Sequence, residues 1–452
     1  MKTHKGRSHP EPREPPAEIP SSAVPAAVWT GPERRNRVRR FFSRLGPGLI
    51  TGAADDDPSG ISTYSVAGAA FGYGPLWTAL FSFPLMTAVQ LMCARLGMVT
   101  GRGLAGVVRR RYSRWVLWGT CTLLVVANTI NIGADLAGMG EAMGMVTGID
   151  AKVWMPLFTL VIVSFLSFTD YQHIARIFKW LTLVLFSYVL AALLARPDWP
   201  TTLRATLVPR IVWSRDYLAT FVAILGTTIS PYLFFWQAAQ EVEEERRQGR
   251  RSVGQRKGAT DAELRRSFID VATGMFFSNF VMYFIILTTA ITLHAHGQTT
   301  INTAQEAAQA LRPLAGDAAY WLFTLGIVGT GMLAVPVLAG SCAYAIGEAL
   351  AWRVTLSDRP RHAWKFYAVI AAAMLIGLAL DAFGLDAIGM LFWSAVINGV
   401  LAPPLIAVVA LLTSDPTVMG ERVNPPLLRW LGWATAVVMA AATVAMFWTW
   451  RT

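Results

Sequence analysis

Charge is what this 452-residue chain has least of. Asp, Glu, Lys and Arg make up 15% of it, against 54% in the apolar set, and the mean hydropathy is +0.44. Soluble domains run near a quarter charged, so a soluble enzyme is excluded. Cysteine is scarce as well: Cys93, Cys121 and Cys342 stand singly in apolar blocks with no CxxC pair, which excludes a disulfide framework and a thiolate metal site. There is no HExxH, and no histidine falls inside a predicted span. The chain is therefore read as no enzyme and as needing no cofactor. Its net charge of +11 lies between the apolar blocks and not on one face, a pattern of membrane orientation and not of nucleic-acid binding.

What the chain does have is long apolar runs. A spanning helix needs about 20 mostly apolar residues, and by that measure eleven candidates lie near 46–71, 75–99, 115–142, 153–169, 174–195, 216–238, 268–293, 318–350, 364–382, 385–412 and 427–449. The expected fold class is an all-α polytopic membrane protein with the lipid bilayer as its surroundings. Residues 1–45, rich in Pro, Glu, Arg and Ser, read as a disordered basic tail with no signal-peptide core. Every second connection carries Lys and Arg (RRRYSR, RRQGRRSVGQRKG, DRPRHAWK, GERVNPPLLR), and the alternate ones (FGYG, TGIDAK, AFGLD) are nearly free of them. The fifth connection, with Arg196, Arg204, Arg210 and Arg215, breaks the pattern. The balance puts the N-terminus in the cytoplasm and the C-terminus outside, in a plasma (inner) membrane.

Two spans cannot be continuous helices. The first reads GPGLITGAADDDPSGISTYSVAGAAFGYG: Pro58 removes a donor, Gly60 loosens the helix after it, and Asp55, Asp56 and Asp57 cannot face lipid. The sixth reads FVAILGTTISPYLFFWQAAQEVEE, with Gly226, Thr227, Thr228, Ser230 and Pro231 at its middle. The breaks are about 170 residues apart, each in the first helix of a five-helix set. Five is odd, so the two sets insert in opposite senses, with repeat 1 at 46–197, repeat 2 at 198–414 and a last helix in 415–452. Discontinuous helices at matching places in two halves point to a transporter's substrate site. Three carboxylates there suit a cation.

At these residues the sequence resembles the Nramp family of divalent-metal transporters. GPGLITGAADDDPSG is similar to the family's opening segment, with Asp57-Pro58-Ser59-Gly60 over its Asp-Pro-Gly-Asn motif, and Thr228-Ile229-Ser230-Pro231-Tyr232 lies over its sixth-helix Thr-Val-Met-Pro-His segment. Phe71-Gly72-Tyr73-Gly74, Ala94 to Gly101 and Ala134-Asp135-Leu136-Ala137 are further matches. The resemblance implies a LeuT-type fold of two inverted five-helix repeats, broken in helices 1 and 6. It implies a metal held by the Asp57 carboxylate, with Asp56 beside it, and by carbonyls at Ala54 and Thr227.

The departures concern selectivity. The family's Asn is Gly60, its Met is Ser230 and its His is Tyr232. Oxygen ligands suit Mg²⁺ and Mn²⁺ where a thioether favours softer ions, and a roomier site suits an ion that keeps its waters. This resembles the Nramp-related magnesium-transporter branch. Ser230 ligates the metal or bonds back to the preceding turn. Asn398, three positions past the family's Gln position at Ala395, either lines the cavity or joins two helices. Asn128 and Asn131 read as packing residues, His294 and His296 as solvated, the EVEEERRQGRRSVGQRKG run as a solvated cytoplasmic loop, and Trp77, Trp115 and Trp118 as interfacial anchors. With Tyr232 for the His, Gly138 for the third-helix Glu beside Asp135, and no arginine in the ninth span, coupling to protons is not expected. The expected function is alternating-access transport of Mg²⁺, Mn²⁺ or both. The alternatives are a proton-coupled Mn²⁺/Fe²⁺ symporter and a Na⁺-coupled organic-solute symporter of the same fold. The oligomeric state is not readable.

Overall fold

The computed structural model describes residues 46–168, 182–352, 354–356, 361–380 and 386–451. The expected tail and the start of the fifth span fall outside the described residues. Among the described residues the elements are helices and there is no strand.

The first span is two helices, α1 (Pro47–Asp55) and α2 (Pro58–Phe71). Each has proline in its first turn, where the missing N–H costs nothing. Between them Asp56 leaves helical geometry and Asp57 is extended, capping α2. The chain continues through α3 (Trp77–Thr100), the short α4 (Leu104–Arg111), α5 (Arg114–Thr147), α6 (Ala151–Phe168) and α7 (Phe186–Leu194). After α8 (Trp199–Leu207) the break recurs: α9 (Arg215–Thr228) ends at Ile229, and α10 (Pro231–Arg247) starts on a proline. The long helices that follow are α11 (Asp261–Thr292), α12 (Ala319–Ala349), α13 (Trp364–Leu380), α14 (Ala387–Ser414) and α15 (Pro426–Thr449), with short helical turns between them. Eight helical stretches among the described residues are long and apolar enough to cross a membrane. The first span falls short of that length because it is split, the fifth because its start is not described, and the ninth because α13 has 17 residues.

Glycine brings the half-helices against their neighbours. A Cβ on Gly48 would lie 2.6 Å from the Val271 backbone nitrogen, and one on Gly52 would collide with the Gly274 carbonyl. This is the close approach that a Gly-xxx-Gly face permits in membranes, where packing and not hydrophobicity holds helices together. Asp270 on α11 then accepts the N–H groups of Gly46 (2.8 Å), Gly48 (2.7 Å) and Leu49 (3.3 Å), satisfying the free donors of α1. On the other half, Gly226 of α9 meets the backbone of Ala395 and Gly399 on α14. Gly52→Leu is expected to force α1 off α11, at a cost on the order of 1–3 kcal/mol or more, and to lower the melting temperature of the purified protein. Unchanged melting would refute this close contact.

Three expectations are corrected here. The EVEEERRQGRRSVGQRKG stretch is not a wholly solvated loop. Helix α10 runs on to Arg247, and Glu241, Glu243 and Glu245 are buried, Glu241 accepting from Ser267 on α11 and Glu243 from Tyr344 on α12, Arg246 and Thr355. Trp77 is buried, its indole N–H donating to the Tyr217 hydroxyl at 3.3 Å, whereas Trp115 and Trp118 are exposed. His294 is half-buried with Nδ1 2.7 Å from the Ala69 carbonyl, because the C-terminal end of α2 offers it an acceptor; His296 is exposed. At the other rim, Arg111 at the end of α4 meets Asp415 just past α14 at 2.6 Å. That hydrogen bond holds the Asp415 carboxyl down at about 2.

Candidate functional site

The two interruptions come together. An ideal Cβ on Gly60, in the first turn of α2, would lie 2.9 Å from Thr227 Oγ1, in the last turn of α9, and 3.4 Å from Asp57 Oδ1. Gly60 does not loosen the helix after it, as its sequence position suggested. It sits within regular α2, donates its N–H to Asp57 Oδ1 at 2.7 Å, and is small because Thr227 stands against it. The C-terminal ends of α1 and α9 both terminate here, and the free carbonyls of such ends carry partial negative charge that favours a cation.

Asp57 is 1% exposed and well provided with donors. Oδ1 accepts from the Gly60 N–H and from Ser59 Oγ, both at 2.7 Å, and Oδ2 accepts from Asn131 Nδ2 at 2.9 Å. Three hydrogen bonds offset the desolvation of a buried carboxylate in part. Asn131 Nδ2 also lies 3.4 Å from Asp135 Oδ2, and Asn131 Oδ1 accepts from Asn398 Nδ2 at 3.4 Å. One chain of amides and carboxylates thus crosses from α2 through α5 to α14. Asn131 was read as a packing residue; that is corrected, since it touches Asp57 directly. Asn128, on the same helix, fits that reading, donating to the Leu338 carbonyl at 3.0 Å.

The two other aspartates turn elsewhere. Ser278 Oγ on α11 donates to Asp55 Oδ2 at 2.5 Å and lies 3.1 Å from Asp56 Oδ1. No hydrogen bond joins Asp56 to Asp57 among the described residues. The Ser230 hydroxyl bonds back to the Gly226 carbonyl at 2.9 Å and the Thr227 carbonyl at 2.6 Å, which is the local reading of that serine; its oxygen keeps lone pairs. Tyr232 Oη donates to the Ala54 carbonyl at 2.8 Å. The Ala54 and Thr227 carbonyls therefore each accept one hydrogen bond and retain a second lone pair. Among the described residues no three His, Cys, Asp or Glu side chains gather as a metal cluster. A cation at this place would meet one carboxylate and neutral oxygens. Two buried acceptors nearby, Asp135 Oδ1 and Asn398 Oδ1, have no hydrogen-bond donor among the described residues.

Sequence reasoning missed Asn131, Ser278 and the Tyr232–Ala54 bond. The available signal was a polar residue at mid-membrane in the third and seventh spans, with nothing to say what it faces.

The chain resembles known proteins over most of its length. A family signature described as natural resistance-associated macrophage protein-like (Nramp) matches residues 48–449. The divalent metal cation transporter MntH of Yersinia enterocolitica is 27% identical over 412 residues, covering 90% of this chain and 94% of its own. Its counterpart from Aeromonas hydrophila is 26% identical over 402 residues, 87% of this chain and 93% of its own. A manganese transporter of Eremococcus coleocola superposes with a TM-score of 0.72 at 18% identity, over 92% of this chain and 88% of that one. A nucleobase-cation-symport-1 family transporter in a closed conformation gives 0.55 at 12% identity, over 90% and 93%. At these identities the superpositions speak to the fold, which is of the LeuT type with helices 1 and 6 broken.

Proposed function

Since the chain belongs to the Nramp family, we propose that it is an integral membrane transporter of divalent metal cations, working by alternating access around the two broken helices. The observation that carries this reading is the convergence of the breaks at Gly60, Asp57 and Thr227. The cation is substrate, and the proposed ligands are Asp57, the Ala54 and Thr227 carbonyls and the Ser230 oxygen, with Asn398 joined through Asn131. Asp56 is proposed only as a neighbouring charge, because its hydrogen bond runs to Ser278.

Mg²⁺ is the proposed preferred ion, with Mn²⁺ accepted. The set contains no sulfur, and oxygen donors suit hard ions. The undonated oxygens of Asp135 and Asn398 suit an ion that enters with water, because metal-bound water is a donor and Mg²⁺ gives up its waters reluctantly. The proposed orientation keeps the N-terminus in the cytoplasm of a plasma membrane. A second reading, a proton-coupled Mn²⁺/Fe²⁺ symporter, is favoured by the Asp57–Asn131–Asp135 chain and by the manganese transporter among the structural relatives. An amino-acid substrate fits poorly against three buried aspartates with no described cationic partner. Flux into proteoliposomes, compared for Mg²⁺, Mn²⁺ and an amino acid, tests these readings. Amino-acid entry without metal entry would overturn the proposal.

Selectivity supplies a mutational test. Ser230→Met places a thioether at the break and should lower the Mg²⁺-to-Mn²⁺ flux ratio about tenfold, with Cd²⁺ gaining most. Gly60→Asn added to it must displace the Thr227 hydroxyl and should narrow the site further. The ratio is measured on folded protein, and an unchanged value would remove Ser230 from the site.

A further inference from the structure

We infer that Asn131 is the positioning residue for the Asp57 carboxylate and that Asn398 acts on the transported cation through it. This inference rests on the site proposed above. Asn131 lies in mid-helix on α5, with 0% exposure, one helical turn before Asp135 and on the same face. Its carboxamide has two N–H donors and one acceptor oxygen. The donors point at Asp57 Oδ2 and Asp135 Oδ2, at 2.9 and 3.4 Å, and the oxygen receives Asn398 Nδ2. Chemistry fixes that orientation, since reversing the amide would set its oxygen against two carboxylates and its nitrogen against another donor.

The two oxygens of Asp57 are held differently. Oδ1 is bonded to Gly60 and Ser59, which belong to the same helix and move with it. Oδ2 is bonded to Asn131, the one side chain from another helix that is hydrogen-bonded to Asp57 among the described residues. Asn131 therefore sets the direction in which Oδ2 presents its remaining lone pairs, relative to a frame outside the broken helix. Asn398, 1% exposed, in turn fixes the Asn131 amide, while its own Oδ1 has no donor among the described residues. A partly hydrated divalent cation bound at Oδ2 supplies donors of that kind through its water. Gly60, over the motif's asparagine, offers no side-chain amide, and the amide that reaches the Asp57 carboxylate comes from α5.

A purely structural asparagine would glue helices; its loss would reduce the amount of folded protein and leave the affinity of what remains unchanged. The test is Mg²⁺ uptake in proteoliposomes by the full chain, with KM and Vmax normalised to folded protein. Asn131→Leu, which fills space without donating, should raise KM about tenfold, as expected for losing one hydrogen bond to a charged group, with Vmax within about twofold. Asn398→Ala should raise KM about threefold alone and add nothing in the Asn131→Leu background, because it acts through that residue. If Asn131→Leu does not fold, Asn131→Ala replaces it. An unchanged KM, or additive effects of the two changes, would overturn the inference. Asp57→Ala is run alongside: wild-type flux there sinks the site itself, whereas a dead Asp57→Ala with wild-type KM in Asn131→Leu sinks only the positioning role.

Discussion

Asp57→Ala is expected to bring divalent-cation uptake down to that of empty liposomes, a loss of at least about a hundredfold, while the protein still inserts and folds. Asp57 is the carboxylate at the meeting point of the two breaks, and a dehydrating ion with two positive charges in a buried site needs a negative partner. The neutral ligands proposed beside it, two carbonyls that already accept a hydrogen bond each and one serine oxygen, supply dipoles and no net charge. The fold should survive because what α2 loses is its N-cap, worth about 0.5–2 kcal/mol, whereas the glycine contacts of α1 with α11 and of α9 with α14 remain. Asp57→Asn separates the two roles: asparagine still caps a helix but carries no charge, so it should melt close to wild type and transport no better than the alanine variant. Wild-type flux in either variant, measured on protein that melts cooperatively, would end the assignment of Asp57 as the principal ligand.

The legibility of these features in the sequence depends on the range of the interactions concerned. Both breaks were readable because their causes are local: Pro58 and Pro231 each start a new helix, and three adjacent carboxylates cannot continue an apolar one. The apolar runs locate the helices for the same reason, although charged turns extend α10 to Arg247 and start α11 at Asp261, beyond the expected 216–238 and 268–293. What was not readable joins residues far apart in sequence. Asn131 meets Asp57 across 74 positions and Asn398 across 267, and hydrophobic spacing tells which face of a helix is polar without telling which helix it meets. The resemblance set Asp57 apart from Asp55 and Asp56 without saying where those two turn; the end of α1 sends them toward Ser278 and Asp57 into the cap of α2. Tyr232 looked like the mere loss of a histidine, yet its hydroxyl ties α10 to the last carbonyls of α1. The burial of Glu241, Glu243 and Glu245 escaped notice because a glutamate-rich stretch is ordinarily solvated, and only the packing of α10 against its neighbours makes it otherwise.

The same geometry bears on the energy source, and metal entry is expected to carry no stoichiometric proton with it. Coupling near neutral pH calls for a group that exchanges a proton there as the metal binds, and histidine is the side chain whose ordinary pKa suits that role. Its place is taken by Tyr232, a phenol with an ordinary pKa near 10, whose hydrogen is committed to the Ala54 carbonyl. The resemblance sets Gly138 at the third-helix glutamate, where there is no side chain to carry a proton and where a Cβ would lie 2.8 Å from Leu391 Cδ1. Helix α13, Trp364–Leu380, contains no arginine. Asp57 has to stay ionised to hold the cation. The ion is then expected to move down its own electrochemical gradient, and a negative interior contributes about 2.3 kcal/mol per charge for each 100 mV, so a divalent ion gains about twice that. Proteoliposomes loaded with a pH-sensitive dye decide the matter: Mg²⁺ or Mn²⁺ entry should leave the lumen at its starting pH, at a rate that rises as the interior is made more negative. Entry of about one proton per metal ion would overturn uniport and make Asp135, at the far end of the Asn131 amide, or Asp56 the carrier to mutate next.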